Sequence, residues 1–153
     1  MIIIMTIIKI IDSKERIPMQ AMIFVNLPVV DLAKSTEFYK SVGFTLNRDF
    51  TNDDGAYLEW SDSIVVMLLT HEFYKKFIAE KKIVDAHNSS EVLLALAIES
   101  KAEVDSFVQK ALDNGGKLLP IVELAGAEGM YSRDVEDLDG HIFEVIYMEM
   151  PGS

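Results

Sequence analysis

The sequence predicts an α+β fold built from two tandem βαβββ modules. Short β-branched runs alternate with segments whose apolar residues follow helical spacing, in the order strand, helix and three strands. This order occurs twice, and the copies resemble each other: residues 29–43 match residues 98–115 in kind, and residues 62–67 match residues 139–144. Because a repeat constrains the whole chain, it determines the fold more strongly than any single element does.

The first module begins with an apolar strand over residues 22–29. Asp31 can cap a helix over residues 32–42, because its side chain can accept hydrogen bonds from the first turn. Three strands separated by turn-forming residues follow, over residues 44–48, 56–60 and 64–69. Thr70 can then cap an additional helix over residues 72–81.

The second module begins with a strand over residues 91–98. Ser100 and Glu103 have the spacing of a capping box before a helix over residues 101–113. Three strands follow, over residues 117–122, 130–135 and 142–148. The last two are predicted to be joined by a tight turn at Asp139-Gly140, since glycine accepts the positive φ of such a turn.

These elements place the first module, with its additional helix, at residues 21–85 and the second at residues 86–150. The polar residues 85–90 have the composition of a linker. Residues 1–20 are predicted to be an N-terminal extension, either an added strand or a disordered segment. Residues 1–11 are apolar, but they lack the basic region and cleavage site of a signal peptide.

The charge of the chain limits its partners. Nucleic acids and anionic membrane surfaces attract basic proteins, so the formal net charge of −11 argues against both. A neutral or cationic small molecule fits this charge better. The absence of cysteine excludes thiolate chemistry and is typical of a cytoplasmic protein, which is the predicted location.

Glu144 is an acid in an otherwise apolar strand, where it shares a face with Ile142 and Ile146. A carboxylate among apolar neighbours is unfavourable unless it is paired, protonated or bound to a cation. Glu144 is therefore the candidate catalytic residue and metal ligand. The alternative is a structural carboxylate that is held by hydrogen bonds.

Two motifs stand at opposite ends of the predicted repeat: Val-x-Asp-Leu-x-x-Ser-x-x-Phe-Tyr over residues 29–39, and Asp-x-Asp-Gly-His-x-x-Glu over residues 137–144. Their order around a duplicated unit resembles the vicinal oxygen chelate superfamily. That group includes glyoxalase I, bleomycin-resistance proteins, fosfomycin-resistance enzymes and extradiol dioxygenases. The resemblance implies that the two modules form a curved mixed sheet around a cleft over residues 22–148. It implies no single activity, because one fold carries several functions.

In metal-dependent members, the resemblance implies ligands from the first and last strand of each module. Those positions fall here on Phe24, Met67, Leu93 and Glu144. A divalent ion needs about three oxygen or nitrogen ligands from the protein. Only Glu144 supplies one, so it could be the single remaining member of a metal site.

The other candidate residues would contact a small molecule. Phe24, Met67 and Trp60, with Tyr57, would form an apolar, aromatic wall, although such residues are also typical of an ordinary core. Asn26 faces the same way as Phe24 in the first strand and could hydrogen-bond a ligand. Leu93 is expected at the matching place in the second module.

Tyr131 and Arg133 share one face of the strand that precedes Glu144. If that face lines the cleft, Arg133 could neutralise Glu144 or hold an anionic group of a substrate. If it faces solvent, both are surface residues. The sequence leaves these alternatives open.

Two functions follow. The first is a metal-free protein that binds and sequesters a small molecule, aromatic or cationic, as bleomycin-resistance proteins do, with no cofactor. The second is a metal-dependent lyase or dioxygenase of the glyoxalase I or extradiol type, which would use Glu144 and a Zn, Ni, Fe or Mn ion. The missing ligands favour the first. In either case the resemblance implies a homodimer.

Overall fold

The computed structural model describes residues 21–121 and 129–149 and confirms the predicted α+β class with two βαβββ repeats. The predicted N-terminal extension, residues 1–20, lies outside the described residues. The internal contacts divide the chain into two compact units. The first unit combines the described residues up to Thr36 with Phe44–Lys81, and the second combines Glu37–Gly43 with the described residues from Lys82 onwards.

The first repeat contains four strands and two helices. Its elements are β1 (Ile23–Val29), α1 (Leu32–Val42), β2 (Thr45–Asn52), β3 (Gly55–Ser61), β4 (Ile64–Thr70) and α2 (His71–Tyr74). The strands lie in the order β1-β4-β3-β2. β1 runs parallel to β4, whereas the neighbouring strands joined by turns are antiparallel, so the sheet is mixed.

The second repeat has the same connectivity. Its elements are β5 (Leu93–Ala97), α3 (Lys101–Asp113), β6 (Lys117–Leu118), β7 (Met130–Glu136) and β8 (Ile142–Met148). The strand order is β5-β8-β7-β6, again with a parallel pair, β5 and β8, at one end. The matching order of the two sheets is what the internal sequence repeat predicts.

The helix caps predicted from the sequence are present. The Asp31 carboxylate accepts a hydrogen bond from the backbone N–H of Lys34, and the Ser100 hydroxyl accepts one from Glu103. The Glu103 carboxylate reaches back to the N–H of Glu99, one residue before the capping serine. These bonds satisfy N–H groups that have no partner within their helix.

The additional helix is much shorter than the predicted residues 72–81. Thr70 caps it as expected, but α2 ends at Tyr74 and is followed by turns, and Ala79 has a φ of +50°. Phe73 is buried, whereas Phe77 is 47% exposed. Because most helical stability in proteins comes from burying an apolar face, one buried side chain does not sustain a longer helix.

In the second unit, α3 packs on β7 and β8. The helix buries Val104, Phe107, Val108 and Ala111, and the sheet buries Leu96, Val135, Phe143 and Val145. Strand residues alternate between faces, so this apolar layer fixes which side chains of β7 and β8 point away from the helix.

Among the described residues, no helix has the length and hydrophobicity to cross a membrane.

Candidate functional site

The register of the first sheet places Asn26, Met67 and Tyr57 side by side. Asn26 of β1 is the direct partner of Met67 in β4, and Met67 is the direct partner of Tyr57 in β3. Directly paired residues lie on the same face of a sheet. Phe24 lies two residues before Asn26 and therefore points the same way. The predicted contact residues Phe24, Asn26 and Met67 thus lie together.

These side chains belong to an apolar cluster. Its buried members are Tyr57, Val65, Met67, Leu69 and Phe73, and the partly buried Met22, Phe24, Phe50 and Tyr74 pack against it. The ring of Tyr57 meets Phe24 edge-on, with centroids 5.9 Å apart, and its centroid lies 5.3 Å from that of Phe50. We call Phe24, Asn26, Phe50, Tyr57 and Met67 the aromatic face of the first unit.

Asn26 contributes a polar atom without a partner to the aromatic face. Its Nδ2 donates a 3.2 Å hydrogen bond to the backbone carbonyl of Phe24. Its Oδ1 is buried and accepts no hydrogen bond from any described residue. Buried side-chain oxygens in proteins are usually hydrogen-bonded, so an exception requires an explanation.

A carboxylate lies next to the aromatic face. Glu59 follows Tyr57 by two residues in β3 and accepts a 3.0 Å hydrogen bond from Nδ2 of Asn47. Burial, together with the negative charge of Glu59, raises the pKa of the Tyr57 hydroxyl, which therefore stays protonated at neutral pH. The aromatic face is thus uncharged, with an acid beside it.

Trp60 lies elsewhere in the first unit. Its ring packs against the buried Phe44, with centroids 5.1 Å apart, and it is not one of the residues packed on the apolar cluster. Trp60 follows Tyr57 by three residues in β3, so the alternation of side chains along a strand places the two on opposite faces. The sequence alone could have shown this.

In the first sheet, Asn26, Met67 and Tyr57 form a row of directly paired residues across three strands. The corresponding row of the second sheet contains two acids. Glu144 of β8 is the direct partner of Ala95 in β5 and of Asp134 in β7. Asp134 was not among the residues predicted from the sequence, because only its pairing with Glu144 distinguishes it. Burial raises the pKa of the Asp134 carboxyl, which is consistent with its place on a partly buried face.

Glu144 is partly buried and makes no side-chain hydrogen bond or ion pair with another described residue. The predicted alternative of a structural carboxylate held by hydrogen bonds therefore has no support from the described part of the chain. Leu93 lies on the same face, two residues before Ala95, and is 56% exposed. The second row thus presents carboxylates and small apolar side chains without a partner of opposite charge.

Tyr131 and Arg133 lie on the other face of β7. Arg133 is paired with Val145, which belongs to the helix-facing layer, and the Tyr131 hydroxyl donates a 2.6 Å hydrogen bond to Asp105 of α3. The Arg133 guanidinium lies over the Tyr131 ring, 4.3 Å from its centroid, and donates to the Tyr131 hydroxyl. Arg133 therefore points away from Glu144 and does not neutralise it.

The turn before Glu144 is organised by Asp137, which is 4% exposed. Its carboxylate accepts the backbone N–H groups of Asp139 and His141 and a 2.7 Å hydrogen bond from the Tyr39 hydroxyl. Burial raises the pKa of Asp137, and the charge of His141 and these hydrogen bonds oppose the rise. Asp137 and His141 thus stabilise the β7–β8 turn, which runs from residue 137 to 141 and is longer than predicted.

The donors in these two rows of described residues are fewer than a divalent metal needs. The row through Met67 offers one amide oxygen, and the row through Glu144 offers two carboxylates. Metal ions of the kind implied by the resemblance need about three nitrogen, sulfur or oxygen ligands from the protein. In the described part of the chain, no group of three or more His, Cys, Asp or Glu residues could hold a metal ion.

Comparisons with known proteins agree with this fold. Residues 22–59 match the family model of the bleomycin resistance protein-like N-terminal region. A hypothetical protein from S. aureus is 28% identical over 84% of this chain and 95% of its own, with a TM-score of 0.69. No protein with curated annotation matches the sequence significantly.

Two further solved structures are less similar in sequence. A glyoxalase/bleomycin resistance protein/dioxygenase family enzyme from Burkholderia phytofirmans PsJN is 18% identical, with a TM-score of 0.68, over 85% of this chain and 100% of its own. A genomically encoded fosfomycin resistance protein from Listeria monocytogenes is 17% identical, with a TM-score of 0.60, over 88% of this chain and 96% of its own. At these identities the likeness concerns the fold.

Proposed function

We propose that this chain, which has the fold of the vicinal oxygen chelate superfamily, as its two motifs predicted, binds and sequesters a small aromatic molecule without a metal ion. The observation that carries the proposal is the aromatic face. In metal-dependent members, the first and last strands of this module supply ligands, but here those strands contribute Phe24, Asn26 and Met67. Apolar side chains such as Phe24 and Met67 offer no ligand to an ion and favour contact with a ring.

Contact chemistry supports an aromatic ligand. Aromatic rings favour edge-on and offset contacts with other rings, and a flexible methionine adapts to irregular shapes. Phe24, Phe50 and Tyr74 are only partly buried, so they retain apolar area that a ligand could cover. Each 100 Å² of apolar area removed from water would contribute about 2.5 kcal/mol to binding.

Charge supports a ligand that is not anionic. The chain carries a net charge of −11, Glu59 lies beside the aromatic face, and Asp134 and Glu144 lie together in the second unit. A negatively charged molecule would be repelled from all of these groups. A neutral or cationic molecule remains compatible, as expected from the sequence.

The metal-dependent lyase or dioxygenase is the second candidate, because Asp134 adds a second carboxylate beside Glu144. This candidate still requires at least one further ligand from outside that row. It predicts that binding and stability depend on a divalent ion, whereas the metal-free function predicts that they do not.

We also propose that the protein is a cytoplasmic homodimer. Among the described strands, β5 lies at the end of its sheet. Leu93 at its start and Val92 just before it are exposed, by 56% and 41%. Exposed apolar edge strands favour pairing with another chain. Sedimentation equilibrium would test this assembly, and a monomer at all concentrations would contradict it.

The function can be tested by thermal unfolding of chelator-treated protein with a panel of small aromatic compounds. We expect some compounds to raise the melting temperature, equally with and without added Zn²⁺, Ni²⁺, Fe²⁺ or Mn²⁺. A ligand at about 100 times its dissociation constant would add about 2.7 kcal/mol of stability. Stabilisation that requires a divalent ion and is lost in Glu144→Ala would instead support the metal-dependent enzyme.

A further inference from the structure

We infer that Asn26 determines ligand specificity in the first unit, because its buried Oδ1 accepts a hydrogen bond from a neutral N–H or O–H group of the bound molecule. The inference rests on the proposed function and narrows it. It assigns the ligand to one chemical class, aromatic molecules with an uncharged hydrogen-bond donor, such as phenols and indoles.

The orientation of the Asn26 amide is fixed by its own hydrogen bond. Nδ2 donates to the carbonyl oxygen of Phe24 at 3.2 Å. If the amide were flipped, Oδ1 would face that carbonyl, and two acceptors would repel each other. The free group of Asn26 is therefore an acceptor, and its partner must be a donor.

No described residue donates a hydrogen bond to this acceptor. Oδ1 is buried and unpaired among the described residues. Its neighbours on the aromatic face include Met67, its direct partner across the sheet, and Phe24, and neither has a side-chain N–H or O–H group. An acceptor that is removed from water without a partner destabilises the folded protein, and a ligand donor would remove that penalty.

The donor should be neutral at this position. A cation would lose its water of hydration, and a single amide dipole among Phe24, Tyr57 and Met67 provides no opposite charge to replace it. The nearest acid along β3, Glu59, already accepts a hydrogen bond from Asn47. A cationic group on the same ligand would therefore belong near Glu59 and not at Asn26.

Access to Oδ1 requires movement of side chains only. The cluster is bordered by Met22, Phe24, Phe50 and Tyr74, all of which still reach solvent. Methionine has three rotatable side-chain bonds and repacks easily around different shapes. A ring could therefore enter beside these side chains without any change in the strands.

Matched pairs of probes test the inference. Each pair differs in one donor: phenol and anisole, indole and 1-methylindole, 2-naphthol and 2-methoxynaphthalene. Affinities would be measured by titration calorimetry on the full chain, with a chelator present. In at least one pair, we expect the wild type to bind the compound that carries the N–H or O–H group about tenfold more tightly than its methylated partner.

Substitution separates a ligand contact from a structural role. Asn26→Leu should bind both members of that pair equally, and without a probe it should melt at the same or a higher temperature, because an unpaired buried acceptor is removed. Asn26→Val, a β-branched alternative suited to a strand, should behave in the same way. Asn114→Leu is the control, since it removes an amide whose Nδ2 also bonds a backbone carbonyl, that of Lys110, and it should keep the donor preference.

The outcomes distinguish the two proposals. Equal wild-type affinities within every pair would overturn the role of Asn26 and leave the binding function intact. A donor preference that persists in Asn26→Leu or Asn26→Val would also overturn it. If the wild type bound none of the six probes, both the role of Asn26 and the aromatic-binding function would be contradicted.

Discussion

The hydroxyl of Tyr39, in α1, donates a 2.7 Å hydrogen bond to the carboxylate of Asp137, 98 positions later in the chain. Tyr39 closes the first of the two motifs that resemble the vicinal oxygen chelate superfamily, and Asp137 opens the second. Both side chains are buried, at 1% and 4% exposure. Burial and the charge of Asp137 raise the pKa of Tyr39 well above its usual value, so the hydroxyl remains a donor.

This bond gives the two motifs a role in folding. Asp137 also accepts the N–H groups of Asp139 and His141, and the Tyr39 ring meets Phe143 edge-on at 5.9 Å. The motifs therefore anchor a helix to the turn that precedes β8. Their presence predicts the fold well and is compatible with several chemistries at Glu144.

Replacing Tyr39 by phenylalanine should destabilise the protein. The substitution keeps the ring but leaves the buried Asp137 carboxylate without one of its donors, which typically costs about 1–3 kcal/mol. Urea unfolding would measure the loss. Tyr131→Phe removes a similar bond to the exposed Asp105 and should change stability by less than about 0.5 kcal/mol. Equal losses of unfolding free energy in both variants would show that the buried hydrogen bond contributes no more to stability than the exposed one.

Gly140 should tolerate no side chain. It has a φ of +91°, and an added Cβ would lie 2.6 Å from backbone atoms of Ala86 and His87. Gly140→Ala combines an unfavourable φ, at about 1–2 kcal/mol, with a clash worth about 1–3 kcal/mol.

Gly129 provides the matched control for Gly140. It has a φ of +87°, but nothing in the described part of the chain lies within 4 Å of its added Cβ, so Gly129→Ala should show the φ effect alone. The difference between the urea midpoints of the two variants therefore measures the destabilisation caused by the clash with the backbone at Ala86. Identical midpoints would mean that this segment moves away at no cost.

Asp134 should make stability depend on pH. Burial raises its pKa in the folded protein above the usual 3.8, so the folded state binds this proton more tightly than the unfolded state does. Its contribution therefore favours folding below pH 3.8 and is lost as the pH rises through the folded pKa. At pH 7, Asp134→Asn should be more stable than the wild type, by less than about 1 kcal/mol, and the difference should disappear below pH 3.8.

The exposed Asp62 controls for net charge, because Asp62→Asn makes the same change in a turn. It should stabilise the protein less than Asp134→Asn at pH 7. Unfolding free energies of both variants, measured from pH 3 to 7, would test this expectation. An equal gain in stability in both variants would exclude an effect of burial.

The sequence predicted local elements well. The spacing of apolar residues and caps defined α1 and α3 at Leu32–Val42 and Lys101–Asp113, because these helices bury one continuous apolar face. The additional helix was predicted too long, since its caps and propensity do not reveal that Phe77 stays exposed.

The candidate site depended on register, which the sequence does not specify. Counting from the motifs identified Phe24 and Met67, but the sheet pairs Met67 with Asn26, so the amide whose Oδ1 is unpaired lies at the β1 end of the row. Asp134 was missed because its importance comes only from its pairing with Glu144. Pairing between strands is set by packing of the whole sheet, and a single sequence does not contain it.

Metal content is the most direct test of the proposed function. Wild type and Glu144→Ala would be purified without a chelator, and separate samples would be equilibrated with Zn²⁺, Ni²⁺, Fe²⁺ or Mn²⁺ and desalted. Their metal content would be measured by inductively coupled plasma mass spectrometry. The metal-free function predicts substoichiometric metal in both proteins. One ion per wild-type chain, lost in Glu144→Ala, would contradict it.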